Sequence, residues 1–327
     1  MASANRRLAL RAVAAALAMA VALPAGAYSI FDLQAVDATG NPTDPMVKAP
    51  PDPANRVTVE GIVLNRPEDF SVIDPSVPGW QYWQIYVQSE EPGKPAGIAV
   101  FQGRFFAATW PPPYPVVQPG DRVEVNGFVA DHRGKSNINT RHSAAPQMDF
   151  TVDVVGHPGM PVPVDIPSLA ECTYFSDERR DEPGYRGGEF YQAQWCRLSG
   201  VRIIDPPADD PPWGGGWGWG AGKSVLVTDD SGEVLPLYLA AVGDFGDYFP
   251  PDGPFSVVGI FDQEDPGTDI GGGVTAYTGN YRLWVLQGAD VFGSQEIPEP
   301  ATLCLLGCGG LGLVLRRRRY RPSNEGS

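Results

Sequence analysis

Glycine and proline leave this chain little room for long helices. Its 327 residues include 39 Gly and 34 Pro, and between residues 28 and 295 no amphipathic helical period runs beyond about ten residues. Glycine loses backbone entropy in a helix and proline removes a helix hydrogen bond. Isolated helical pieces of that length are marginal in water. Period-two runs survive the same punctuation, because a strand of about five or six residues is already a common unit. The expected class is therefore all-β, built from short strands and many turns.

The two ends follow other rules. Arg6, Arg7 and Arg11 precede an apolar run over 12–23, then Pro24 and the small residues Ala25-Gly26-Ala27. This is the layout of a signal peptide, 1–27, removed by signal peptidase after Ala27. The run is shorter than the roughly 20 apolar residues that span a bilayer. At the other end Pro298-Glu299-Pro300 leads into an apolar segment over 301–315 and then Arg316, Arg317, Arg318 and Arg319. An apolar helix closed by four arginines acts as a stop-transfer anchor with the arginines in the cytoplasm, which holds the body outside. A plain single-span tail anchor would carry the same charge logic.

That order of Pro-Glu-Pro, apolar helix and arginine cluster resembles the PEP-CTERM sorting signal, and 296–327 is read as that segment. The resemblance implies an exosortase, a membrane-embedded cysteine peptidase, cutting near the Pro-Glu-Pro motif. It also implies a bacterium that makes extracellular polysaccharide. The protein is expected at the cell surface or released, anchored transiently by the 301–315 helix.

Between the signals, 28–295 holds 16 Lys and Arg against 36 Asp and Glu, a net charge of −20. Nucleic-acid affinity comes largely from cations neutralising phosphates, so this charge makes nucleic acid an unlikely partner. It suits solubility outside the cell. Cys172 and Cys196 are the cysteines of the body. In an oxidising compartment a pair reads first as a disulfide, which would stabilise by roughly 3 kcal/mol. His132, His142 and His157 are too scattered for a metal site, and none falls near either cysteine in sequence.

The strand pattern divides the body. Residues 28–55, rich in Pro, Asp and Asn, read as an extended linker. Alternating runs follow at 57–64, 83–88, 97–101, 122–130 and 149–155, a first module over 56–160. A looser second set occupies 195–203, 224–232 (a strand with its hairpin turn), 235–239, 253–261 and 281–286, a module over 161–295, with a short helix at 167–172. Val59-Glu60-Gly61, the run Pro119-Gly120-Asp121-Arg122-Val123-Glu124-Val125-Asn126-Gly127 and the strand ending Asp153-Val154-Val155-Gly156 resemble an OB-fold barrel. More narrowly they resemble the OB-like modules that precede the catalytic domain of secreted endonuclease/exonuclease/phosphatase-type nucleases. The expectation is two tandem OB-like β-barrels between the signal peptide and a single-span sorting helix, with only the sorting tail after Phe292.

No nucleophile with a base, paired general acid and base, or metal cluster stands out, so no catalytic residue, metal or cofactor is expected. Lys223-Ser224 lacks the glycine at 217 that a phosphate-binding loop needs, since Trp217 stands there, and a strand rather than a helix follows. The same stretch places Trp213, Trp217 and Trp219 among glycines that cannot bury them. In OB-folds the loop between the first two strands borders the ligand face, so these indoles are the candidate ligand-binding residues. Trp80, Tyr82, Trp83, Trp110 and Tyr114 around Pro111-Pro112-Pro113 read first as core packing and loop stiffening. Asp262, Glu264, Asp265 and Asp269, and Asp229-Asp230, match no calcium loop and read as solvated acidic turns. The overall expectation is a non-enzymatic matrix or envelope protein that binds an extracellular polysaccharide through its Trp loops. The alternative is a nucleic-acid-binding accessory module without a catalytic domain.

Overall fold

The computed structural model describes residues 28–47, 49, 52–70, 82–91, 94, 96–103, 116–139, 150–178, 182, 186–209, 216–293 and 295–296. The signal peptide, the sorting helix with its arginines, Pro298, Glu299, Pro300 and Trp213 lie outside them.

The fold is mostly β, as the turn-rich composition predicts. In the first half the strands are β1 (Val57–Val63), β2 (Tyr82–Gln88), β3 (Gly97–Gly103), β4 (Arg122–Gly127), β5 (Val129–His132), β6 (Lys135–Asn139) and β7 (Thr151–Gly156). They form one sheet in the order β5-β6-β3-β2-β1-β4-β7. β3 and β6 run parallel, and the other neighbours antiparallel. β4 and β5 are one run of chain interrupted at Phe128, so the ladder returns from β6 towards β1. Alternation sets the inside: Val57 and Val59, Ile85 and Val87, Ile98 and Val100, and Val123 and Val125 are buried in one cluster. Each such side chain contributes roughly 1.5–3 kcal/mol on burial.

The second half repeats the scheme and closes fully. Its strands are β8 (Val164–Ile166), β9 (Trp195–Ile204), β10 (Ser224–Thr228), β11 (Val234–Leu239), β12 (Tyr248–Phe249), β13 (Phe255–Gln263), β14 (Thr268–Asp269), β15 (Thr275–Ala276), β16 (Tyr281–Val285), β17 (Val291–Phe292) and β18 (Gln295–Glu296). β9 pairs with β10, β10 with β11, β11 in parallel with β16, β16 with β13, and β13 again with β9. The result is a closed five-stranded barrel, filled by Leu198, Val227, Leu237, Val257, Phe261 and Leu283 among others. The strand ranges expected from sequence agree with these within about two residues, and 224–232 divides into the strand Ser224–Thr228 and the hairpin turn expected after it. The 167–172 helix is a 3-10 turn over Leu169–Glu171.

The run at 149–155 is the last strand of the first half, β7, on the outer side of β4, and the strand beside β3 is the polar β6. One expectation changes there: the 28–55 stretch is no free linker over its first twenty residues. Helix α1 (Ile30–Leu33) inserts Ile30 and Leu33 into the first core. Tyr28 N–H donates to Thr58 O at 2.7 Å. Gln34 Nε2 donates to Gly97 O and Ser136 O.

The halves meet through a dry contact and a buried charge cluster. Leu64, Tyr86 and Ala99 pack against Ala193, Trp195, Val258, Ile260 and Leu286. A Cβ on Gly97 would lie 1.8 Å from Ala193 O, so only glycine allows this approach. Lys135 Nζ of β6 donates to both Asp262 carboxylate oxygens, at 2.9 and 3.1 Å. Asp262 also accepts from Arg282 Nε and Nη2 and from Trp284 Nε1. Arg282 reaches on to Glu264, which Arg133 contacts from the other half.

Candidate functional site

The described part of the Trp-rich loop, Gly216–Lys223 before β10, is ordered by its own backbone. Gly216, Gly218, Gly220 and Gly222 all have positive φ, from 72° to 144°, a region that side-chain-bearing residues rarely enter. Those bends let the loop fold back on the start of β10. Gly218 N–H donates to Ser224 O, and Ser224 N–H donates to Gly216 O. Trp217 and Ser224 form a single parallel bridge, and Gly222 N–H donates to Leu239 O.

The two described indoles are fastened differently. Trp219 Nε1 donates to Phe245 O at 3.0 Å and Tyr248 O at 2.9 Å, and its ring meets Phe245 edge-on at 5.9 Å. It packs against the second core and anchors the loop. Trp217 Nε1 donates to Asp209 O at 2.6 Å, at the rim. Together with Ile203, Ile204, Asp205, Pro206, Gly218 and Val225 they line an open cleft of about 560 Å³. The sequence signal for Trp217 and Trp219 was their glycine-rich setting. Ile203, Ile204 and Pro206 gave none, because the end of a strand and the turn after it read the same whether or not a cleft opens there.

Of the other sequence candidates, those described are held in the fold as follows. Trp83 packs on the first core beside Phe150, ring centroids 5.8 Å apart; Trp80, Trp110, Pro111–Pro113, Tyr114 and His142 lie outside the described residues. Ser224 is the first residue of β10, so Lys223-Ser224 precedes a strand. His157 Nδ1 lies 2.7 Å from Asp121 Oδ1.

The solvated acidic turn reading is corrected at Asp262, which is fully buried, and at Asp265, which is buried too. Burial pushes its carboxyl up, and Lys135 and Arg282 more than offset this, holding it below the ordinary carboxylate range. Glu264 is shifted the same way by Arg282 and Lys135 against its own burial. Asp265 accepts from Gly267 N, Gly279 N and Asn280 Nδ2. Asp269 accepts from Gly271 N. Asp229 accepts from Ser168 Oγ, Leu169 N and Ser231 N. These carboxylates fix turns. Among the described residues no three His, Cys, Asp or Glu side chains are grouped to hold a metal ion.

Cys172 and Cys196 share the second core but are free thiols here, not the expected disulfide. Each is held by its own neighbourhood, with Cys172 Sγ 3.5 Å from Leu169 O and Cys196 Sγ 4.0 Å from Tyr191 O. Burial pushes both well above the ordinary thiol range, and for Cys196 the nearby Cys172 adds to it. Little thiolate forms at neutral pH, which leaves the pair unreactive.

One end of the chain is decided by comparison with known families. Residues 296–319 match the PEP-CTERM protein-sorting motif. The motif marks an exported, envelope-sorted protein and a substrate for exosortase processing. No curated protein matches the chain. The match begins inside the folded body, because Glu296 of β18 pairs with Tyr248 of β12. Tyr248 also accepts the Trp219 indole hydrogen bond, so the cleft and the start of the sorting motif share one strand of support.

Proposed function

We propose that this exported protein is a non-enzymatic component of the extracellular matrix or envelope that binds polysaccharide through the Trp217–Trp219 cleft. The observation carrying the reading is the cleft itself. Two indoles are held by backbone hydrogen bonds in an open, mostly apolar groove, on a protein addressed to the cell surface. Aromatic faces backed by a rigid loop suit the C–H faces of sugar rings, with hydroxyls left at the wet rim.

The barrels support the same reading. The second follows strand order 1-2-3-5-4-1 with a parallel 3–5 pair, and the first follows it through β4 and β5 as one broken strand. We take both as OB-like, a scaffold whose loops beside the first strands border ligands, oligosaccharides included. The nucleic-acid alternative shares that scaffold but must overcome a body charge of −20.

The test is retention of the full-length, detergent-solubilised protein on immobilised exopolysaccharide fractions of its host, with single-stranded DNA at low salt beside them. Saturable retention on polysaccharide that Trp217→Ala weakens supports the reading. Retention unchanged by that substitution moves the site elsewhere, and retention on DNA alone favours the alternative. Retention on no fraction overturns the binding role.

A further inference from the structure

We propose that the Trp217–Trp219 cleft selects uncharged glycan chains and turns away acidic ones. This rests on the polysaccharide reading above and adds the class of sugar.

The first ground is what the indoles have left to offer. Both ring N–H groups are already spent on backbone carbonyls, Trp217 on Asp209 O and Trp219 on Phe245 O and Tyr248 O. The rings therefore present faces rather than donors. Ile203, Ile204, Pro206 and Val225 continue that apolar floor. A ligand gains here by laying hydrophobic C–H surface on the rings, and each ionised group it brings loses hydration without a matching partner.

The second ground is charge. Asp205 is the one charged residue lining the cleft among the described residues. A carboxylate accepts hydrogen bonds from hydroxyls and repels a uronate or sulfate at the same distance. Lys223 is the basic residue of the loop, and it does not line the cleft. Its Nζ sits instead 3.4 Å from where a Cβ on Gly216 would stand. Recognition of carboxylate or sulfate uses Arg or Lys aimed at the anion, and among the described residues the lining supplies neither. The net charge of −20 over 28–295 works against a polyanion at longer range as well.

The experiment compares hexasaccharides on the full-length, detergent-solubilised protein. The uncharged probes are β-1,4-glucan, β-1,4-mannan and α-1,4-glucan hexamers, the acidic probe is a galacturonate hexamer, and the cationic probe is a glucosamine hexamer. Binding is measured at about 0.1 M and about 1 M salt, where the screening length falls from about 10 Å to about 3 Å. The expected result is binding of at least one uncharged hexamer, nearly independent of salt, and roughly tenfold weaker in Trp217→Ala. The galacturonate hexamer should bind wild type more weakly than the uncharged one, and Asp205→Lys should raise its affinity in a salt-dependent way.

Preference for the galacturonate hexamer overturns the inference and leaves the polysaccharide reading standing. Preference for the glucosamine hexamer with binding that salt weakens overturns it too, since the carboxylate would then be recruiting a cation. Binding of none of the sugars, by a protein that also ignores its host's exopolysaccharide, overturns both readings together.

Discussion

Replacing Lys135 by Met tests how the two halves are joined. Lys135 is 8% exposed and Asp262 fully buried, and the ammonium meets both carboxylate oxygens across the interface, at 2.9 and 3.1 Å. Methionine keeps the length of the stem and removes the charge. Removing one partner of a buried ion pair costs about 3–5 kcal/mol when the survivor is stranded. Here Arg282 still gives Asp262 two hydrogen bonds and Trp284 a third. The cost should fall nearer that of one charge-assisted hydrogen bond, about 2–3 kcal/mol. Lys135 and Arg282 lower the Asp262 carboxyl more than burial raises it. Its contribution is therefore present above the unfolded carboxylate pKa of about 3.9, and is lost only as pH falls through the lower folded value. The deficit of the variant should be full at neutral pH and shrink in strong acid. The assay is urea unfolding followed by tryptophan fluorescence, with Asp262→Asn and the double variant completing a cycle. Coupling between the two sites should exceed about 1 kcal/mol. A Lys135→Met cost within about 0.5 kcal/mol of zero, the scale of ordinary surface changes, would refute the buried-bridge account.

Asp290 gives a pH dependence of opposite sign. Burial, with Asp244 nearby, raises its carboxyl to about 6, so its contribution is full below the unfolded value and lost as pH rises through about 6. Asp290→Asn should flatten stability between about pH 4 and pH 7 and stabilise the protein at pH 8 by about 1–2 kcal/mol, read as a shift in urea midpoint. Gly97→Ala should cost more than about 3 kcal/mol in the same assay, because its Cβ would sit 1.8 Å from the Ala193 carbonyl and neither backbone can yield without parting the two halves. Cys172 and Cys196 should resist a maleimide in native buffer and react in urea; rapid native labelling, or a mass lighter by one pair of hydrogens in the exported protein, would contradict their buried free-thiol state.

What could be read beforehand follows the reach of each interaction along the chain. The strands of the second barrel were readable because alternation and turn residues are local: Ser224–Thr228 and Val234–Leu239 flank an Asp-Ser-Gly turn. β6 was not. Lys135, Ser136, Asn137 and Asn139 show no apolar alternation, yet every residue of the strand is buried. Two of its polar groups find partners far away in sequence, Lys135 Nζ in Asp262 and Ser136 O in Gln34 Nε2, and no local pattern announces them. The same distance hid the packing of Ile30 and Leu33, since two apolar residues in a Pro- and Asp-rich stretch look like linker until a core is there to receive them. Trp217 and Trp219 stood out because glycine cannot cover an indole. Which of the two is an anchor depended on Phe245 and Tyr248, 26 and 29 residues on.

The most direct test of the cleft as the binding site is oxidative footprinting of tryptophan, read by mass spectrometry, with and without the host's exopolysaccharide. The account predicts that polysaccharide protects Trp217, at the rim of the cleft, while Trp83, packed beside Phe150 in the first half, oxidises at an unchanged rate. Protection of neither, or of Trp83 with Trp217 left reactive, would contradict it.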